Sequence, residues 1–215
     1  MGWEVTRWGK VVGLRQGFGD RREIPPPGVR TLRQVHGRHL YDARDVRSGE
    51  SAGDGLVTVD GGPLVGVWTA DCVPMHLVAA RARVAAAVHC GWRGTGAGVI
   101  PASLELFERR YGVSSFEVEA ALGPAIGGCC YEVGGEVREA FRSRAGQPLG
   151  DVGFTTRRGR LFLDLRIFLA AELAGLGVAQ VETVGPCTAC HTDLLFSYRK
   201  EGSTGRQLSW IGWRG

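Results

Sequence analysis

The chain has 215 residues, of which 44% are hydrophobic and 22% charged, and its formal net charge is +4. That length suits one substantial core, and the composition is that of a soluble globular protein rather than a disordered or fibrous one. No stretch reaches the roughly 20 apolar residues of a membrane span, no basic-then-apolar leader opens Met1-Gly2-Trp3-Glu4, and the arginines are scattered with little aromatic interleaving, which argues against a membrane or a nucleic-acid polymer as partner.

A cytoplasmic location is therefore expected, with the six cysteines as thiols, metal ligands or small buried hydrophobes. Along the chain, residues 1–20 read as an edge strand and turn, and Pro25-Pro26-Pro27-Gly28 forces an extended loop. Val29 to Val35 can be a strand leading to His36-Gly37. Gly53-Asp54-Gly55 marks a turn before Leu56 to Val59. Leu64 to Trp68, Val73 to Val78 and Val84 to Val88 are apolar runs bounded by turn residues, the pattern of buried strands.

Gly91 to Gly98 reads as a glycine-rich loop. Ile100, Leu104, Phe107 and Tyr111 fall at helical spacing and predict a helix over 100–111. Val118 to Leu122 is a further strand, Glu136 to Arg144 a second helix and Leu161 to Leu163 a strand. Asp164 suits an N-cap for a third helix over Leu165 to Leu176, closed by Gly175 and Gly177. Val181 to Val184 is a strand, and Leu194 to Trp213 returns as loop and strand. One α+β domain over residues 1–215, a layered α/β sandwich with mixed sheets, accounts for this order.

Three segments place a metal-capable side chain among glycines or at a chain turn: Gln34-Val35-His36-Gly37, Thr69-Ala70-Asp71-Cys72 and Val88-His89-Cys90-Gly91-Trp92-Arg93-Gly94. Two imidazoles and a thiolate suit zinc or copper, and three protein ligands leave a tetrahedral position open, as catalytic sites do. Each residue also has a plainer reading, His36 as a turn residue and Cys72 as a buried thiol. His89 and Cys90 point to opposite faces if they share a strand, and His89 is the one chosen for the site. Of the vicinal pair Cys129 and Cys130, Cys130 is taken as nearer to function. The glycine-rich loop sits between strand and helix, where backbone amides can hold a phosphate and Arg93 can add a bidentate donor. It serves equally well as a tight turn.

Cys187-Thr188-Ala189-Cys190-His191 matches the c-type haem attachment pattern, but no export signal accompanies it. As a zinc half-site it lacks a well-spaced partner, because the other pair is vicinal. A structural or incidental role for Cys187 and Cys190 is expected. Tyr198, Arg199 and Arg206 surround a glycine turn and form either a solvated loop or a wall for a substrate anion or sugar hydroxyls.

Taken together, these motifs resemble the YfiH-type laccase-domain family, described as purine nucleoside phosphorylases and formerly as polyphenol oxidases. The resemblance rests on the three segments above, with Asp54-Gly55-Leu56-Val57-Thr58, Gly123-Pro124-Ala125-Ile126-Gly127, Cys130-Tyr131-Glu132-Val133-Gly134, Phe196-Ser197-Tyr198-Arg199 and Thr204-Gly205-Arg206, in family order. It implies metal ligation by His36, Cys72 and His89, with zinc or copper as cofactor. It also implies phosphorolysis of adenosine, inosine and methylthioadenosine, and metal-dependent deamination of adenosine. Gly17-Phe18-Gly19-Asp20-Arg21 is similar to the family's Gly-Phe-x-x-Arg segment, which adds Arg21 to the substrate-binding candidates. The family segment that usually follows is shortened here to a proline-rich loop, and Cys90 stands where the family has Ala.

The expectation is thus an enzyme whose partners are a small-molecule nucleoside and phosphate. Cys72, His89, Asp71 and Cys130 are its candidate catalytic residues. Arg93, Arg21, Tyr198, Arg199 and Arg206 are candidates for substrate. Alternatives are a copper-dependent, laccase-like phenol oxidase, a cysteine hydrolase or deamidase with Cys72 as nucleophile and His89 as base, and a metal-dependent interaction module.

Overall fold

The computed structural model describes residues 2–143 and 149–214. A 3-10 turn at Thr6–Lys10 precedes β1 (Leu14–Phe18), then β2 (Leu40–Asp42), β3 (Gly55–Val59), β4 (Val65–Thr69), β5 (Val73–Ala79) and β6 (Val84–Cys90). Helices α1 (Trp92–Gly96) and α2 (Val99–Tyr111) follow, then β7 (Glu119–Leu122) and α3 (Gly135–Arg142). The chain continues through β8 (Phe154–Arg157), β9 (Arg160–Leu163), α4 (Leu165–Gly175), β10 (Gln180–Thr183), α5 (Tyr198–Glu201) and β11 (Gln207–Trp213).

Six strands form a mixed sheet in the order β10-β7-β5-β6-β3-β2, and three form an antiparallel sheet in the order β1-β11-β4. The alternation of side chains along β5 and β6 divides the interior in two. Val73, Met75, Leu77, Ala86, Val88 and Cys90 face a core that α2 and α4 fill with Phe107, Phe168, Leu169 and Leu173. Val78, Ala85 and Ala87 face Val65, Val67, Ile211 and Trp213 of the smaller sheet. Small alanines on that side let the two sheets approach closely. The result is a three-layer α+β sandwich of helices, mixed sheet and small antiparallel sheet.

Several elements differ from the sequence reading. Val29 to Val35 forms no strand, only isolated bridges from Arg30 to Val65 and from Arg33 to Ala52. The Gln34 side chain instead bonds the backbone of Trp68, donating to its carbonyl and accepting from its amide, each at 2.8 Å. Residues 92–96 form a short helix rather than a loop. The expected helix over Glu136 to Arg144 ends at Arg142, and Arg144 lies outside the described residues. The Asp164 cap is present, its carboxylate accepting from the Arg166 amide at 3.1 Å.

Candidate metal centre

One end of the central strands gathers the candidate ligands. In the β5–β6 pair Val73 lies opposite Cys90 and Pro74 opposite His89, so Cys72, just before β5, arrives beside the end of β6. Asp54 precedes β3, whose Gly55 pairs with Val88, and its carbonyl accepts from the His89 amide at 2.7 Å. His36 comes from a turn with φ of 58°. The donor atoms of His36, Cys72 and His89 all lie within 4.8 Å of one another. Cys90 is fully buried on the opposite, helix-facing side, as strand alternation requires.

Asp54 holds this arrangement together, although the sequence shows it only as a turn residue between glycines. Its fully buried carboxylate accepts from the amides of His36 at 2.9 Å and Gly37 at 2.7 Å and sits 2.8 Å from His89 Nδ1. Nδ1 donating to Asp54 leaves His89 Nε2 for a ligand, the usual way a carboxylate fixes a metal-binding histidine. Burial opposes every charge here, yet the His89 ring and the amides hold Asp54 below the usual carboxylate range. Against burial, Asp54 and Cys72 raise His89 to about 9. Hydrogen bonds from His36 and His89 likewise lower Cys72, against burial, to about 6. The cluster is therefore ready to present a thiolate at neutral pH.

Two glycines make room for it. A Cβ on Gly91 would stand 3.1 Å from His36 Cδ2 and 3.2 Å from Cys72 Sγ, and one on Gly94 would stand 2.5 Å from the Gly37 carbonyl oxygen. Close approach of α1 to the His36 turn thus depends on both positions. In α1 the amides of Thr95 and Ala97 donate to the carbonyls of Gly91 and Arg93, so the expected phosphate-cradling loop has already committed those donors.

The centre opens into a cavity of about 930 Å³, within the range of small-molecule sites. Trp68, Trp92, Tyr131 and Tyr198 give it aromatic surface, and Arg93, Arg199 and Arg206 give it positive charge. Burial and the nearby Cys72 charge push Tyr131 up to about 12, so it stays protonated. Trp68 ends an apolar run in the sequence, and Trp92 and Tyr131 lie within the quoted motifs, but none of the three is among the candidate site residues read from it.

Three of the expected residues have surroundings that the sequence does not show. Arg21 does not line the cavity: its guanidinium pairs with Glu201 at 2.6 Å and lies over the Phe196 ring. The Cys130 thiol is 3.4 Å from Cys190 Sγ rather than in the cavity wall. Asp71 does reach the cavity, but its carboxylate is occupied. Oδ1 accepts from Thr188 and Ser197 hydroxyls at 2.6 and 2.7 Å, and Oδ2 from the Arg199 amide at 2.7 Å. Asp71 has a φ of 91°, a conformation that costs a non-glycine residue about 1–3 kcal/mol. These contacts offset that cost and fix the turn that delivers Cys72.

The fold is thus a three-layer α+β sandwich with a two-histidine, one-thiol, metal-capable cluster beside an aromatic, arginine-lined cavity. The chain belongs to the multi-copper polyphenol oxidoreductase laccase family, whose model matches residues 9–214, and within it to the YfiH type. It is 33% identical over 216 residues to the purine nucleoside phosphorylase YlmD of Geobacillus stearothermophilus, covering 95% of this chain and 79% of the relative. It is 37% identical over 178 residues to adenosine deaminase RL5 from an unknown prokaryotic organism, covering 80% of this chain and 67% of that one. The crystal structure of the Geobacillus stearothermophilus YlmD superposes with a TM-score of 0.87 at 27% identity, covering 100% of this chain and 97% of the other. The structure of Neisseria meningitidis NMB0706 gives 0.84 at 27% identity, covering 94% and 95%.

The family description names several copper ions, and the donor groups bear on that. Among the described residues, the groups of three or more metal-capable side chains are His36, Cys72, His89 and a set of four cysteines. His76 is fully buried and stacked on Phe18, and His39 packs beside Tyr41. No histidine-rich multinuclear donor set is present among the described residues. No helix there is long and apolar enough to cross a membrane.

Proposed function

We propose that this chain is a purine nucleoside phosphorylase acting on adenosine, inosine and methylthioadenosine, with adenosine deamination at the same metal-dependent site. The single observation that carries the reading is the junction of a His36–Cys72–His89 donor set with an aromatic and cationic cavity, in a chain about one-third identical to enzymes named for these activities. Two imidazoles and a thiolate favour zinc, with copper the other ion this set suits. The donor spacing and the hollow beside Gly91 fit such an ion. When bound, zinc supplies Lewis acidity toward a substrate or water oxygen.

The protein's own groups do the rest. Flat faces of Trp68, Trp92 and Tyr131 suit a purine ring. Arg93 and Arg206 suit phosphate, whose attack at the anomeric carbon displaces the purine while positive charge develops on the sugar. Tyr131, held protonated, can donate a hydrogen bond to the departing base. Arg199 donates to the Glu132 carbonyl at 2.8 Å and lies over the Tyr131 ring, so it serves chiefly to hold that wall.

The thiol of Cys72, lowered to about 6 beside two imidazoles, favours one other reading, a cysteine hydrolase. Product analysis separates the two. Adenosine with phosphate should yield adenine and ribose 1-phosphate, with inosine from the parallel deamination. Deamination that persists after complete metal removal and stops on alkylation of Cys72, with no ribose 1-phosphate at any time, would favour the hydrolase.

A further inference from the structure

A second group of sulfurs lies outside this centre. Cys129 and Cys130 follow β7, and Cys187 and Cys190 follow β10. The two strands are parallel neighbours, with Leu122 opposite Thr183, so the segments that leave their C-terminal ends emerge side by side. A parallel bridge between Ala125 and Cys187 prolongs that pairing, and the Thr188 amide donates to the Ala125 carbonyl at 3.0 Å. Residues 128–130 then turn rather than extend. On a strand, vicinal cysteines would face apart; on this turn both thiols face the other pair.

The four Sγ atoms all lie within 4.8 Å of one another. Cys190 Sγ is 3.4 Å from that of Cys130 and 3.6 Å from that of Cys129. A tetrahedral zinc with Zn–S bonds of about 2.3 Å sets its sulfurs about 3.8 Å apart, which these spacings match. A disulfide requires about 2.05 Å, and an iron–sulfur cluster spreads its cysteines around several irons. The backbone also orients one sulfur toward the group, with the Gly127 amide donating to Cys187 Sγ at 3.2 Å. Positive charge is also at hand. Arg157 donates to the Gly128 carbonyl and Arg166 to the Gly185 carbonyl at 3.0 Å.

We propose that Cys129, Cys130, Cys187 and Cys190 bind a single zinc ion as a closed tetrathiolate site, distinct from the His36–Cys72–His89 centre. Four protein ligands leave no open position, so its role is structural. It joins two loops that serve the cavity. Cys130 precedes Tyr131, a cavity residue, and Thr188, between the second pair, holds the Asp71 carboxylate. The ion ties the Tyr131 wall to the turn that delivers Cys72.

The test uses full-length protein purified without chelator. Cys72→Ala, which removes a ligand of the first centre only, should retain about one zinc per chain with an all-sulfur shell by X-ray absorption. Adding Cys190→Ser should remove it. A second measurement needs no variant. In wild-type protein the exposed Cys129 and Cys190 should resist iodoacetamide, and should become alkylated as strong chelator strips zinc. Metal-free Cys72→Ala protein, immediate alkylation of Cys129 and Cys190, a disulfide among the four in the peptide map, or iron with inorganic sulfide would each overturn the assignment.

Discussion

The two cysteine-bearing centres are built on opposite plans. His36, Cys72 and His89 gather where buried strands end, supported by a fully buried carboxylate, and they present three donors to a cavity. The four cysteines sit on two turns near the surface, supported by a backbone amide, a parallel bridge and two arginines bonded to loop carbonyls. The rigid frame carries the incomplete donor set, and the loops carry the complete one. An open coordination position is useful only where its geometry is fixed from behind. A closed set can itself tie two loops together.

The sharpest way to break this contrast is Asp54→Asn. Loss of the carboxylate behind His89 should weaken metal affinity at the open centre about 10- to 100-fold and leave the ion of the cysteine cluster in place. Competition with a metallochromic chelator, with circular dichroism as the folding control, reads both. Equal losses at the two sites would mean that Asp54 acts on the fold as a whole.

Arg93→Ala tests the cavity end of the same centre. Losing a charge-assisted contact to an anion costs about 1.5–3 kcal/mol, roughly ten- to a hundredfold in affinity. The phosphate requirement of phosphorolysis should rise by about that factor, while deamination, which uses no phosphate, should change less. Equal effects on phosphate and nucleoside would remove the role given to Arg93.

The pH dependence should differ as well. In the metal-free open centre Cys72 is ionised above about 6, and His89 keeps its proton up to about 9. Between those values ion binding must release the His89 proton. Affinity should therefore climb about tenfold per pH unit and level off above pH 9. For folding, the two groups oppose each other. Cys72, lowered from an ordinary 9.0, contributes stability that is full above pH 9 and lost as pH falls through about 6. His89, raised from 6.5, contributes stability that is full below 6.5 and lost as pH rises through about 9. Metal-free stability should thus be nearly flat from pH 6.5 to 9, which chemical denaturation at several pH values would show.

The smallest effect is expected at Cys90→Ala. Its thiol is buried among helix-facing core residues, so stability should fall by about 1 kcal/mol with metal content unchanged. Loss of metal from this variant would contradict the strand alternation that separates Cys90 from His89.

Much of this was legible in the sequence where apolar runs and periodicity are strong. Strands β5 and β6 and helix α2 fall where the pattern predicts, and the three donor residues stood out by their setting. What was hidden depended on pairing between distant segments. Asp54 reads as a turn residue until the register of β3 on β6 buries it. Cys187 and Cys190 look isolated until the parallel β7–β10 pair brings Cys129 and Cys130 beside them. Strand β8 is polar and mostly exposed, so no hydrophobic alternation marks it. Gln34 makes its sheet contact through a side-chain amide, which no strand pattern records.

The most direct test compares wild-type and Cys72→Ala protein, each with metal content measured, in adenosine plus phosphate. Wild-type protein should yield ribose 1-phosphate. Folded Cys72→Ala, which should lack the open-centre ion, should yield none. Phosphorolysis at the wild-type rate in Cys72→Ala protein would contradict this, because the reaction would then not depend on the His36–Cys72–His89 centre.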